Sequence, residues 1–236
     1  MSGFQFKRFY LVQNNCAMKV GTDGVLLGAW ADISNCKNIL DVGAGTGLIA
    51  LMLRQRAEKL SQINTKISAL EIDKAAFLQA KKNFNNSPWS DISINHGDFN
   101  TFEQAKQYDL VVSNPPYFVN SLKSPDQARN KARHTCSLSF ESLINQFCNI
   151  TNEEGRLALV LPLDALNEIK TLAQKFSLTV SKLVYVYTKE GKAAKRILME
   201  LSKMHIKQEC SELIIHHKGG YSQSFINLTK DFYLKM

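Results

Sequence analysis

The chain lacks any CxxC pair: its five cysteines, Cys16, Cys36, Cys136, Cys148 and Cys210, are scattered and odd in number. That argues against a disulfide framework or a paired-cysteine metal site and fits reduced thiols in a reducing compartment. No apolar run approaches the roughly 18 residues of a membrane span. The opening MSGFQFKRFY has no apolar core of the kind a secretory signal carries. A cytoplasmic location is therefore expected, with no membrane association. There is no internal repeat, no low-complexity tract and no Pro/Gly/Ser linker. His205, His216 and His217 show no metal-ligand spacing, and they read as part of an exposed polar segment with no metal expected.

What is present is enough apolar sequence for a core. With 236 residues, 44% of them hydrophobic, the chain suits one domain with a short extension. The net charge of +8 is unevenly placed. Lys123, Arg129, Lys131 and Arg133 outnumber Asp126 in one short segment, and Lys189, Lys192, Lys195 and Arg196 outnumber Glu190 in another. Two local basic clusters suggest phosphate contacts, although solvated loops would look the same.

From residue 38 onward, strand-like and helix-like runs alternate. NILDV, KISALEI, DISINHG, YDLVVS, GRLALVLP, KLVYVYT and KRILMELS read as seven strands. Helices are expected after Gly47, after Asp73, near 139–151 and after Asp164, with Asp73 as a cap. The alternation predicts an α/β fold, a central and mostly parallel sheet with helices on both faces. One of the last two strands, joined by the short KEGKAA connection, is expected to be antiparallel. Residues 1–37 form an N-terminal extension containing a helix over DGVLLGAWA, and 38–236 form the main domain. Trp30 and Trp89 read as packing residues. In such sheets ligands bind beyond the carboxyl ends of the strands.

The residues at those strand ends carry the chemistry. After the first strand comes Asp41, followed by Gly43, Gly45 and Gly47 in a GxGxG pattern. Glycines allow a tight turn whose amides approach a ligand at a helix N-terminus. The dinucleotide fingerprint GxGxxG is not matched, because Leu48 holds its third glycine position. The spacing resembles motif I of the S-adenosylmethionine-dependent methyltransferases. The second strand ends on Glu71, a carboxylate able to accept both hydroxyls of a ribose. The third leads to Gly97-Asp98-Phe99, where the resemblance places an acid for the adenine amino group and an apolar neighbour for the ring.

The fourth strand stops at Asn114-Pro115-Pro116-Tyr117. Two prolines cannot donate to a sheet, so pairing ends there. The tetrapeptide resembles motif IV of the methyltransferases that modify a planar amino nitrogen: adenine N6, cytosine N4, guanine N2 or a glutamine amide. On that resemblance Asn114 and the Pro115 carbonyl accept the amino hydrogens and Tyr117 stacks on the base. A base inside a duplex could not reach such a site, so the acceptor is single-stranded or flipped out. Lys123, Arg129, Lys131, Arg133, Lys192, Lys195 and Arg196 then become candidate RNA contacts.

MKVGTDGVLLGAWA before the first strand resembles motif X in the permuted order X–I–IV. Together with LDVGAGTGLIALMLRQR, NNSPW, SNPPY and DFYLKM, it makes the chain similar to the bacterial tRNA1(Val) (adenine-N6)-methyltransferase family. The resemblance runs over essentially the whole length. It implies a Rossmann-like class I methyltransferase fold, S-adenosylmethionine as cofactor and a valine tRNA anticodon loop as partner. It also places Lys19, Thr22 and Asp23 near the methionine end of the cofactor, where ordinary helix capping is their other reading. A monomer is expected. The competing readings are another acceptor (DNA adenine, an rRNA guanine, a protein glutamine) and a non-catalytic RNA-binding protein of the same fold. His96 and His134 are left without a role.

Overall fold

The computed structural model describes residues 3–14, 19–103, 107–116 and 138–235. Two short strands, β1 (Gly3–Gln5) and β2 (Tyr10–Val12), pair as a hairpin, and α1 (Thr22–Trp30) follows. Then come β3 (Asn38–Val42), α2 (Leu48–Lys59), β4 (Lys66–Glu71), α3 (Lys74–Asn85), β5 (Ser93–His96) and β6 (Tyr108–Ser113). The second half runs α4 (Phe140–Ile150), β7 (Thr151–Pro162), α5 (Leu166–Lys175), β8 (Thr179–Lys189) and β9 (Arg196–Ser202). It closes with β10 (Glu209–His217), β11 (Gly220–Tyr221) and α6 (Gln223–Thr229).

All seven expected strands lie in one sheet, but that sheet has nine strands, in the order β11-β10-β8-β9-β7-β6-β3-β4-β5. The two additions come from 209–221, which the sequence suggested was an exposed polar segment. Leu213 and Ile215 alternate into the core there, while the residues between them face outward and mask the pattern. Of the two strands flanking KEGKAA, β9 is the antiparallel one, running against both β7 and β8. The terminal β11 is antiparallel as well.

Burial on both faces follows from strand periodicity. Along β7, Leu157, Leu159 and Leu161 face one buried cluster, and Ala158 and Val160 face the other. The cluster beneath Ala158 and Val160 is covered by α1, α2, α3 and α6 and contributes Leu26, Leu51, Phe84 and Phe225. The cluster beneath the three leucines is covered by α4 and α5, through Leu143, Phe147 and Ile169. The N-terminal hairpin joins the α1 side: Phe6, Phe9 and Leu11 are buried in that cluster. Val12 exchanges two hydrogen bonds with the Asn83 side chain, at 3.1 and 2.9 Å. Among the described residues no helix is long and apolar enough to cross a membrane.

Sheet order determines where a ligand can sit. From β3 the chain proceeds outward to β4 and β5 on one side, then returns to the other side of β3 as β6. The resulting gap above the carboxyl ends of β3 and β6 is the topological switch point.

Candidate active site

In the register of the sheet Val42 pairs with Ser113, and the Ser113 hydroxyl donates to the Val42 carbonyl at 2.8 Å. The next residues, Gly43 and Asn114, therefore leave adjacent strands side by side, about 5 Å apart across the ladder. A cleft of about 220 Å³ opens above them. Across it, Asp98 and Phe99 lie toward the β5 side, Glu71, Gly43 and Gly45 come next, and Asn114 with Pro115 lie on the β6 side.

The glycine turn is held by backbone contacts. The Gly43 and Ala44 amides donate to the Leu70 carbonyl, at 2.9 and 3.1 Å. Gly43 and Gly45 have φ of 72° and 56°, in the left-handed region, and a Cβ at either would meet nothing within 4 Å among the described residues. These two positions leave open the space a ligand would take. Gly47, also expected at the cofactor, does something else. It precedes α2 with φ of 83°, and a Cβ there would lie 2.4 Å from the Phe84 ring. Its small size lets α3 pack close, and it does not line the cleft.

Glu71 is buried, and its two carboxylate oxygens accept from the Gly45 amide and the Asp73 amide, both at 2.8 Å. Each oxygen retains acceptor capacity toward the cleft, so the acid is preset for a diol. Asp73 caps α3 by accepting from the Ala76 amide at 2.7 Å. Asp98 accepts from the Asn100 amide at 2.9 Å and starts the short 3-10 turn that places Phe99 at the cleft. Further apolar cleft residues, Leu70 and Ala76 among them, carry no motif in the sequence. Ile72, half exposed between the two acids, and Leu138 line it and offer flat apolar surface. The strand-tip position of Ile72 was the available signal.

Asp41 departs from its expected place. Strand alternation turns it to the same face as Ile39, beneath α2, where it is fully buried and does not line the cleft. One carboxylate oxygen accepts from the Ala50 amide at 3.1 Å, and the other, Oδ1, has no hydrogen-bond partner among the described residues. Burial, reinforced by the negative charge of Glu71, pushes its carboxyl up to about 7. The acid is tied to the first turn of α2, not to the cleft.

Thr22 and Asp23 are likewise elsewhere. They line a second cleft of about 250 Å³ with Lys195 and Arg196. Asp23 accepts from Arg196 Nε at 2.9 Å, and neither residue caps α1, whose N-cap is Gly21. Lys19 is exposed and lines neither cleft. Lys192, Lys195 and Arg196 lie at the β8–β9 turn. Because Pro162 at the end of β7 pairs with Arg196, this turn sits on the same carboxyl edge as Asn114. Arg196 is ion-paired with Asp23, so the lysines carry more of the outward charge. Tyr117, Lys123, Arg129, Lys131, Arg133 and His134 lie outside the described residues. Cys36 is buried and its thiol is raised to about 11, which leaves no thiolate for nucleophilic work at neutral pH.

The open glycine turn, the preset Glu71 and the apolar wall fit a nucleoside cofactor such as S-adenosylmethionine. Comparison with known proteins agrees. The family model of the Methyltransferase small domain matches residues 21–179. The tRNA1(Val) (adenine(37)-N6)-methyltransferase of Bacteroides thetaiotaomicron is 44% identical over 237 residues, covering 99% of this chain and 98% of that protein. The protein of the same name from Haemophilus influenzae (strain PittEE) is 45% identical over 239 residues, covering 100% of both. Among solved structures, a predicted O-methyltransferase of Agrobacterium tumefaciens superposes with a TM-score of 0.69 at 18% identity, over 89% of this chain and 96% of that one. M. jannaschii TYW2, solved in complex with AdoMet, superposes at 0.59 with 10% identity over 85% and 84% of the two chains.

Proposed function

The chain belongs to the tRNA1(Val) (adenine(37)-N6)-methyltransferase family, and from that premise we infer that it methylates the N6 amino group of an adenine in tRNA, using S-adenosylmethionine. The observation that carries the site assignment is the Val42–Ser113 pairing, which brings an open glycine turn and an Asn-Pro pair to one cleft. Gly43, Gly45 and Glu71 would hold the cofactor, with Asp98, Phe99 and Ile72 around its adenine. Bound there, the cofactor supplies an electrophilic methyl on a cationic sulfur.

The acceptor presents a chemical difficulty that the residue types answer. An exocyclic amino nitrogen shares its lone pair with the ring and is a poor nucleophile. The Asn114 side-chain oxygen and the Pro115 carbonyl accept its two hydrogens, turn the lone pair toward the methyl and stabilise positive charge as it develops on nitrogen. Pro115 and Pro116 keep this edge out of sheet pairing, so its carbonyls stay available. After transfer the nitrogen carries two hydrogens and a methyl, and it releases one proton to solvent. Neither acceptor needs to be a strong base, because the proton is lost from a cation.

The finer identity we assign is the family's: a valine tRNA, at the adenine in the anticodon loop. The test is methyl transfer to purified isoacceptors, with label expected in valine tRNA and not in a tRNA whose anticodon-loop adenine is replaced by guanine. Equal labelling of both would remove this assignment.

A further inference from the structure

The second cleft is built from two chemically different walls. One is aromatic. His216 and Tyr221 face each other across the β10–β11 pairing, their rings stacked at 4.8 Å and 24°. Tyr221 then meets Phe225 at 4.9 Å, which anchors the surface rings to the buried cluster. The other wall is polar: the Thr22 and Thr188 residues, the Asp23 carboxylate and the cationic Lys195 and Arg196. Tyr221 stays 46% exposed, so part of the aromatic surface is open to solvent.

The cleft shares the carboxyl edge with the methyl-transfer site. β10 runs parallel to β8, and β8 ends beside the start of β9, which pairs with the end of β7. Four strand spacings separate β10 from β6, a lateral distance of about 19 Å. A single strand whose target base is held at Asn114 can span that distance with a few nucleotides. The path is basic: Lys189, Lys192 and Lys195 on one turn and Lys218 on the other, with Glu190 as the acid between them. Glu190 lies 3.3 Å from His217, so the two turns are in contact.

We propose that this cleft is a second nucleotide subsite, which holds a base of the RNA strand flanking the flipped target. The base lies against His216 and Tyr221, its polar edge faces Asp23 and the threonines, and its phosphate meets Lys195. Aromatic surface serves any base, while the carboxylate favours an edge that donates hydrogen bonds. The proposal rests on RNA being the acceptor.

The experiment uses the full chain and its tRNA. Wild-type protein that transfers no methyl to any RNA would remove the acceptor assignment itself, before the subsite is in question. Given transfer, Tyr221→Ala should raise KM for tRNA roughly tenfold or more, the scale of one base–aromatic stack. The kcat and the KM for the cofactor should stay as they are, and Tyr221→Phe should recover the wild-type KM. A folded Tyr221→Ala with unchanged KM for tRNA would overturn the subsite. Ultraviolet cross-linking of wild-type protein to tRNA, followed by peptide mapping, covers the case in which that variant fails to fold. Adducts at His216, Tyr221 or the β8–β9 turn are expected, and adducts confined to other peptides would overturn the proposal.

Discussion

The two ends of the carboxyl edge are made differently. Around β3, β4 and β6 the site is formed by backbone and by short side chains at strand tips: a glycine turn, carbonyls freed by prolines, the Asn114 amide and the acids. Around β8, β9 and β10 it is formed by long side chains on turns, with lysines, an arginine–aspartate pair and an aromatic stack. The first kind of site demands particular residues at fixed spacings, because glycine leaves the space and proline withholds the ladder's donor. The second can be made by many sequences, since a lysine or a ring reaches the same place from several positions. Cofactor and acceptor chemistry is therefore concentrated in motifs, and strand recognition is spread out.

The predictions probe that contrast. The largest effect is expected at the acceptor edge. Asn114→Ala should lower kcat by about 100- to 1,000-fold, the usual loss on removing one preorganised charge-stabilising group, with cofactor affinity nearly intact. Steady-state kinetics alongside cofactor titration would check it, and a near-normal kcat would remove Asn114 from the mechanism.

Next is Asp41. Its carboxyl is raised from 3.8 to about 7 in the folded chain. Below pH 4 it is protonated folded or unfolded and costs nothing. Between about 4 and 7 the unfolded chain ionises first, so this group lowers stability as pH rises, by up to about 4 kcal/mol. Cofactor-free Asp41→Asn should lack that decline, so urea unfolding should show the variant gaining on wild type from pH 4 to 7. Parallel profiles would mean that Asp41 titrates normally.

The glycine loop can be split into its two functions. Gly47→Ala puts a Cβ against Phe84 at a left-handed backbone and should cost about 2–4 kcal/mol of stability. Gly45→Ala meets nothing within 4 Å among the described residues and should weaken cofactor binding more than folding, costing about 1–2 kcal/mol through its φ. Thermal unfolding and cofactor titration of both variants separate them; identical behaviour would mean one shared role. The smallest effect belongs to the basic turn. Lys192→Ala with Lys195→Ala should reduce the salt slope of tRNA binding by about 1–2, since each lysine that neutralises a phosphate adds about one to it. An unchanged slope would place both lysines away from the strand.

The same contrast explains what could be read in advance. Glu71, Asp98, Phe99 and the Asn-Pro pair sit where the strand ends put them, because period-two runs and the prolines mark those ends. Asp41 and Gly47 belong to the same motif yet do other work. Motif membership does not tell which face of a strand a side chain takes, or which ring packs on a glycine. Strand β10 was hidden because only Leu213 and Ile215 of its nine residues are buried. Thr22 and Asp23 line the second cleft, where Asp23 pairs with Arg196, far away in sequence. No local pattern encodes such a pairing.

The most direct test of the account is methyl transfer from labelled S-adenosylmethionine to unmodified total tRNA, followed by nucleoside analysis, with wild type and Asn114→Ala side by side. The account predicts label in N6-methyladenosine for wild type and almost none for the variant. Label in another nucleoside, or undiminished N6-methyladenosine from Asn114→Ala, would contradict it.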